Sequence, residues 1–312
     1  MTTDPSIGAV TKLRNSALRL YFASGKVKLA SAAVKEQYVR WQLKRLLREP
    51  SSVSRPGVPV RDDIVVSLTS WEKRLHVLPL ALYCLVHQSV WPARLEVWLT
   101  EEDLARLDDE VRVLFSTYGV EFRTCEDYRS HKKWLPAVRE HEKRYVITAD
   151  DDVLYPHHWL RWLLRDFDPR GKFSVAHVCH EVTFDESGNI NHYGDFNRKV
   201  EKRGRVSYAF IGVGYGGQVL HRDWIPEPFL NVNRIMKVSP RSDDVWLACA
   251  LKSAGIPTRQ SRVYVPLLEV GGTYENSLQQ YNSKMGMKPV QFEETIDTFD
   301  LTPCIFRSRS GQ

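Results

Sequence analysis

The sequence predicts an α/β protein, a parallel-sheet half joined to a mixed half and preceded by a helical arm, and three observations predict it. Short apolar runs without alternation are separated by longer segments of helical period, the pattern of strands buried on both faces by crossover helices. That rhythm stops after residue 150, where turn-rich and glycine-rich sequence takes over. The chain has 312 residues, 43% of them hydrophobic and 26% charged, which is enough to bury a sizeable core in one large domain.

Taken in order, residues 12–48 read as helix in two pieces, interrupted near Ser24 and Gly25. The second piece puts Val34, Tyr38 and Trp41 on one face with Val39, Leu43 and Leu46 beside them, while Lys35, Arg40, Lys44, Arg45 and Arg48 point elsewhere. Residues 1–60 hold eleven Lys and Arg against three acids (Asp4, Glu36, Glu49), so the remainder is slightly acidic although the whole chain carries +6. A nucleic-acid reader carries its positive charge on the folded module; here the charge sits on the arm, which argues against nucleic acid as a partner. Two uses remain for such a helix: peripheral contact with an anionic membrane surface, or packing on its own domain. Pro50 stops it, and SSVSRPGVPV reads as a linker.

Buried strands are expected at 63–68, 95–99, 120–124 and 145–148, with helices at 76–88, 101–118 and 132–142 between them. Beyond, a hairpin is expected at 182–190 around Ser187 and Gly188, strand character at 210–220, a helix at 243–254 and a short strand at 263–268. The tail from Gln260 otherwise shows no clear pattern, although Gly271, Gly272, Tyr274 and Tyr281 could form a loop ordered by ligand. The expected organisation is an arm and linker at 1–60, a catalytic domain at 61–258 and a C-terminal extension at 259–312. The longest apolar run, 77–86, is ten residues interrupted by Pro79, against about 20 for a membrane-spanning helix. The first residues lack the basic and apolar regions of a secretory leader, so a cytoplasmic location is expected. Five widely spaced cysteines without a C-x-x-C pair indicate neither a disulfide framework nor a structural zinc site.

The chemistry concentrates in a few places. Asp150, Asp151 and Asp152 follow the apolar run YVITA. Ligands in open α/β sheets bind beyond the carboxyl ends of strands, and three adjacent carboxylates there repel one another unless a cation compensates. Hard oxygen ligands suit Mg2+ or Mn2+ with room left for substrate phosphates; a helix-capping acidic loop is the simpler alternative. Thr69, Ser70 and Arg74 follow the first strand, where a turn with a helix cap is the alternative. Lys132 and Lys133 lie before the fourth strand, and a lysine there can meet a diphosphate as a point charge. Residues 211–217, IGVGYGG, match neither a P-loop nor a dinucleotide fingerprint, but their glycines permit close backbone approach to a ligand. Asp243 and Asp244 follow Ser242 at a helix start, where the dipole alone would favour them.

TSWEKR, HKKWLP, ADDDVLYP, GVGYGG and SDDVWL, in this order and each at an element boundary, resemble glycosyltransferases of the GT-A fold, in particular small bacterial enzymes of surface-polysaccharide and lipopolysaccharide synthesis. The resemblance covers about residues 62–258. It implies a nucleoside-diphosphate-sugar donor, UDP-linked by expectation, and a glycan or lipid-linked glycan acceptor. It implies that Asp150 meets the donor ribose and Asp152 the metal, with Asp150 also on the metal side and Asp151 the variable middle residue of the acidic motif. Thr69, Ser70, Arg74 and Lys133 would contact the donor. Gly214, Tyr215, Gly216, Gly217 and Trp224 would face sugar or acceptor, and Asp244, or second Asp243, would take the acceptor proton if configuration is inverted. No histidine follows His221, so a C-terminal histidine ligand found in some GT-A enzymes is missing. Two other classes compete, a binding module and another metal-dependent phosphotransfer enzyme; for the latter the haloacid dehalogenase pattern D-x-D-x-[TV] is not matched, since Leu154 occupies its last position. A non-catalytic glycan or nucleotide-sugar binding module has no need of carboxylates at both Asp152 and Asp244. A sugar nucleotidyltransferase needs a basic glycine-rich loop where this chain has TSWEKR.

Overall fold

The computed structural model describes residues 29–49, 57–200, 203–273 and 286–307. The first piece of the predicted arm, and Tyr274 and Tyr281, lie outside them. The elements run α1 (Leu29–Arg48), β1 (Val60–Thr69), α2 (Leu78–Val86), β2 (Trp91–Leu99), α3 (Glu101–Arg106), α4 (Asp109–Thr117), β3 (Val120–Thr124), α5 (Leu135–Glu140), β4 (Tyr145–Thr148), α6 (Trp159–Arg165), β5 (Ser174–Ala176), β6 (Cys179–Glu181), β7 (Val206–Ser207), β8 (Phe210–Gly212), β9 (Val219–His221), α7 (Val232–Val238), α8 (Asp243–Ser253), β10 (Thr258–Gln260) and α9 (Met287–Thr298). Among the described residues no helix is long and apolar enough to cross a membrane.

The main sheet has the order β3-β2-β1-β4-β9. Its first four strands are parallel and β9 closes the edge antiparallel to β4. Ile64, Val65, Leu68, Val97, Leu99, Val146 and Ile147 are fully or almost fully buried, as the unalternating strands require when both faces are covered. Two small sheets, β5-β10-β7 and β6-β8, make up the mixed half. The predicted α/β class, parallel half plus mixed half, is the one observed.

Several boundaries differ from expectation. The predicted helix at 101–118 is two, because Leu107 turns extended and Asp108 caps α4 through the N–H groups of Glu110 and Val111 at 2.8 and 3.2 Å. The helix expected from Lys132 begins only at Leu135, after a 3-10 turn at Arg129–Lys133. Residues 263–268 form no strand; instead the following residues run beside the acidic loop, with Val153 bridged to Glu269. The tail, patternless in the sequence, contains α9.

The arm packs on its own domain along α2. Lys35 and Val39 are buried, and the Lys35 ammonium donates to the Leu154 carbonyl, while Val34 and Trp41 are 55% and 52% exposed. The helix turns in on Val39, with Tyr38, Leu43, Leu46 and Leu47 packed against the core, and Lys35 is buried on that side rather than solvated with the other basic residues. Glu36 also accepts the N–H of Gly271 at 2.8 Å.

Candidate functional site

β4 ends at Thr148, and the pairing with β1 extends one residue further through the Ala149 N–H to the Ser67 carbonyl, 2.9 Å. The chain then leaves the sheet as Asp150, Asp151 and Asp152, at the carboxyl end of the parallel strands. The loop is held from behind: the Val270 N–H donates to the Asp152 carbonyl and the Leu154 N–H to the Leu268 carbonyl, both at 2.8 Å. The Tyr155 hydroxyl accepts the Asp150 N–H (2.8 Å) and donates to the Tyr215 carbonyl (3.0 Å), which ties the acidic loop to the glycine segment.

The three carboxylates have different surroundings. Asp151 is 3% exposed, and its two oxygens are engaged by the Ser70 hydroxyl at 2.5 Å and Arg74 at 3.0 Å. Asp151, Ser70 and Arg74, all expected near the donor, bind one another here, because a carboxylate this buried requires hydrogen bonds. Asp152 shares Arg74, also at 3.0 Å. Burial, with Asp151 beside it, pushes the Asp152 carboxyl up to about 7, since one shared guanidinium does not compensate. Asp150 pairs with Lys133 at 2.8 Å. Thr69 is engaged at the Trp98 carbonyl, 2.7 Å.

Lys133 joins this cluster to the second one. Its ammonium also lies 3.0 Å from Asp243, at the first turn of α8. Burial would lower its pKa, but Asp150, Asp243 and Asp244 hold it well above the ordinary lysine value, so it is a permanent cation. Burial raises Asp243 to about 6 against the pull of Lys133. Asp244 goes the other way: burial is outweighed by Lys288 and Lys133, and the carboxyl falls to about 2. Its oxygens accept the Gly214 N–H at 2.8 Å and Lys288 at 2.7 Å.

The glycine segment lies between the clusters as a 3-10 turn at Gly214–Gly216. A Cβ on Gly214 would stand 2.9 Å from the Lys133 ammonium and 3.2 Å from Asp244, so the backbone approaches both charges as only glycine permits. Gly217 has φ +92°, and a Cβ there would lie 2.6 Å from the Trp159 ring. Trp159 is fully buried and donates to the Gly216 carbonyl at 2.7 Å. Tyr215 stands half-buried beside this turn.

Trp224 and the pair His157 and His158, which invites a metal reading although neighbouring side chains on a helix diverge, are placed elsewhere. Trp224 is 7% exposed and packs on Tyr145 and His221 at the opposite end of β4, so the expectation that it meets an acceptor is corrected. His157 and His158 bond to the His87 carbonyl and the Ser89 hydroxyl at 2.5 and 2.7 Å. Lys288 was not singled out from sequence. Its signal is a helical spacing of Phe292, Ile296 and Phe299, masked by the buried polar Gln291 and Thr295 in the same helix.

Among the described residues, no three His, Cys, Asp or Glu side chains converge to hold a metal unaided. A magnesium-type ion keeps several waters and needs only one or two carboxylates plus substrate phosphates. Five carboxylates here face three cationic side chains, Arg74, Lys133 and Lys288. Asp152, buried and undercompensated, and Asp150 fit that ion by donor chemistry and by surplus negative charge.

No family profile matches the chain, and no curated protein matches it in sequence. Solved structures do overlay on it. One is the mannosyltransferase PcManGT from Pyrobaculum calidifontis in complex with GDP-Man and Mn2+, with TM-score 0.46 and 14% identity over 86% of this chain and 73% of that one. Another is S. aureus TarS 1-349, at 0.41 and 10% over 76% and 72%. A third is a cytidylyltransferase from Leptospira borgpetersenii serovar Hardjo-bovis, at 0.39 and 12% over 82% and 99%. By its own structure the chain is an α/β protein with two acidic clusters bridged by a buried lysine.

Proposed function

We propose that the protein is a divalent-metal-dependent glycosyltransferase of the GT-A type that moves a sugar from a nucleoside diphosphate to a glycan or lipid-linked glycan, in bacterial surface-polysaccharide synthesis. The observation that carries the reading is Lys133: it brings Asp150 and Asp243, 93 residues apart, to 2.8 and 3.0 Å of one ammonium at the carboxyl end of a parallel sheet. Such a site offers both halves of a group transfer, charge compensation for a diphosphate and a carboxylate for an acceptor hydroxyl.

Asp152 and Asp150 would hold Mn2+ or Mg2+, which when bound neutralises the charge gathering on the leaving diphosphate. Lys133 adds a fixed positive charge, pre-oriented by its carboxylates. The glycine turn lets the sugar approach the backbone at Gly214, Gly216 and Gly217 beside Tyr215. The acceptor oxygen attacks the anomeric carbon, the bond to the diphosphate oxygen breaks with its electron pair, and the acceptor proton passes to a carboxylate. Asp244 takes that role by position: it is ionised at neutral pH, and its low proton affinity suffices because the hydroxyl proton becomes acidic as the new bond forms. Asp243 is the second choice, its oxygen being held by Lys133.

The test is thermal unfolding with UDP, GDP, CMP and dTDP, each with and without Mn2+, since a ligand of the folded state raises Tm. One nucleotide should raise Tm only with Mn2+, and not in Asp152→Asn. No shift with any nucleotide would overturn the reading in favour of a glycan-binding module. For the arm, exposed Trp41 beside Lys44, Arg45 and Arg48 supports contact with an anionic inner-membrane face. Sedimentation with anionic but not zwitterionic vesicles, lost in Trp41→Ser, tests it.

A further inference from the structure

We propose that Lys288 is a positioning residue for Asp244, and that helix α9 is thereby part of the active site. The inference deepens the reading above and rests on Asp244 as the base. α9 begins after Gly286, and its inward face carries Gln291, Phe292 and Thr295, none more than 3% exposed. Phe292 anchors the helix, with ring centroids 6.1 Å from Tyr193, 5.6 Å from Phe196 and 5.7 Å from Phe306. One turn earlier on the same face, Lys288 reaches Asp244 Oδ2 at 2.7 Å.

Two further contacts direct the helix at this carboxylate. Gln291 Oε1 accepts the Arg241 N–H at 3.0 Å, in the residue just ahead of Ser242, which opens α8. The helix thus holds both the backbone that launches Asp243 and Asp244 and the Asp244 side chain itself. The Lys288 ammonium is in turn confined by the Tyr193 ring, 5.5 Å to its centroid. Because Gly214 N–H holds Oδ1 from the opposite element, the two donors fix the carboxylate plane about its last torsion and leave a lone pair on each oxygen for an acceptor hydroxyl.

A tie made for stability alone would gain little here. Relative to an apolar pair of the same size a buried ion pair contributes weakly, because desolvation offsets attraction, although removing one partner alone destabilises; α9 already has its anchor in Phe292. The second cation beside Asp244, Lys133, is shared with Asp150 and Asp243. Lys288 is therefore the charge dedicated to Asp244, and its effect falls on orientation of the base.

The experiment is steady-state kinetics, with donor and acceptor varied separately, on the full chain and on Lys288→Met, Lys288→Arg, Asp244→Asn and the Lys288→Met/Asp244→Asn double variant, with Tm recorded for each. Lys288→Met should lower kcat by about 10- to 100-fold, the cost of a misplaced catalytic group, with donor KM within about twofold. Lys288→Arg should recover most of the loss, and in the Asp244→Asn background Lys288→Met should cost nothing further. If Lys288→Met does not fold, Lys288→Gln, which keeps the stem and a donor without the charge, carries the same comparison. Wild-type kcat in Lys288→Met or Lys288→Gln, a loss confined to donor KM, or an equal loss in the Asp244→Asn background would each overturn the proposal. Full turnover in Asp244→Asn would instead remove the base assignment on which it rests.

Discussion

The two acidic clusters are chemically alike in sequence and unlike in the fold. Asp150 to Asp152 leave the end of β4, and Asp243 and Asp244 open α8; both sets are aspartates in tandem, with Asp151, Asp152 and Asp243 buried and the other two partly so. At the strand end one guanidinium is shared by two carboxylates, and burial raises Asp152 to about 7. At the helix start Asp244 has a lysine of its own and a backbone N–H, and falls to about 2. The difference shows that a carboxylate's role follows from how many cations and donors the tertiary structure brings to each oxygen. An undercompensated carboxylate attracts a further cation, and an overcompensated one stays ionised and fixed in orientation, with a low affinity for protons.

Neutralising one carboxylate of each cluster should separate the roles. Asp152→Asn is expected to have the largest effect, about a 1,000-fold loss of turnover, together with loss of the Mn2+-dependent nucleotide shift in Tm; a variant that keeps that shift would break the metal side of the comparison. Asp244→Asn should cost about 100-fold in kcat while the nucleotide shift survives. A loss of donor binding there would merge the two clusters into one donor site. Gly214→Ala addresses the junction. The added methyl meets the flexible end of Lys133, so activity should fall about tenfold while Tm changes by no more than a few degrees. An unfolded variant would show that the turn, not the charges, is what glycine serves.

The smallest effect, and the sharpest, is in pH dependence of stability without metal. The Asp152 pKa is raised on folding, so the folded state retains a proton that the unfolded chain loses, and Asp152 destabilises increasingly as pH rises from about 4 to about 7. The Tm of Asp152→Asn relative to wild type should therefore climb across that window and then level off. The Asp244 pKa is lowered, so its stabilisation is present above about 4 and is lost as pH falls toward 2. Asp244→Asn should be less stable than wild type at neutral pH, with the gap closing in acid. Parallel curves for the two variants would erase the electrostatic contrast.

Much of this was legible from residues alone. The parallel strands were evident because strands covered on both faces are written as largely apolar runs, and the acidic loop and the α8 start were evident because adjacent aspartates stand at the end of one such run and at the start of a helical one. The role of Asp151 was not legible, since nothing local says that Ser70 and Arg74, some 80 residues away, turn toward it. Trp224 looked like a sugar platform by residue type and is edge packing by position. The period of the arm helix was legible, but the burial of Lys35 was not, because its ammonium reaches a carbonyl that only the folded domain presents.

By itself the sequence determined the fold class, the ends of the strands where chemistry is placed, and the set of carboxylates, because periodicity and burial of apolar side chains are local and repeated along the chain. Only the tertiary structure decided which carboxylate is paired, which is left wanting a cation, and that α9 belongs to the site. Those are properties of distances of about 3 Å between residues far apart in the chain, and electrostatic energy in a buried site depends on those distances, not on the order of residues.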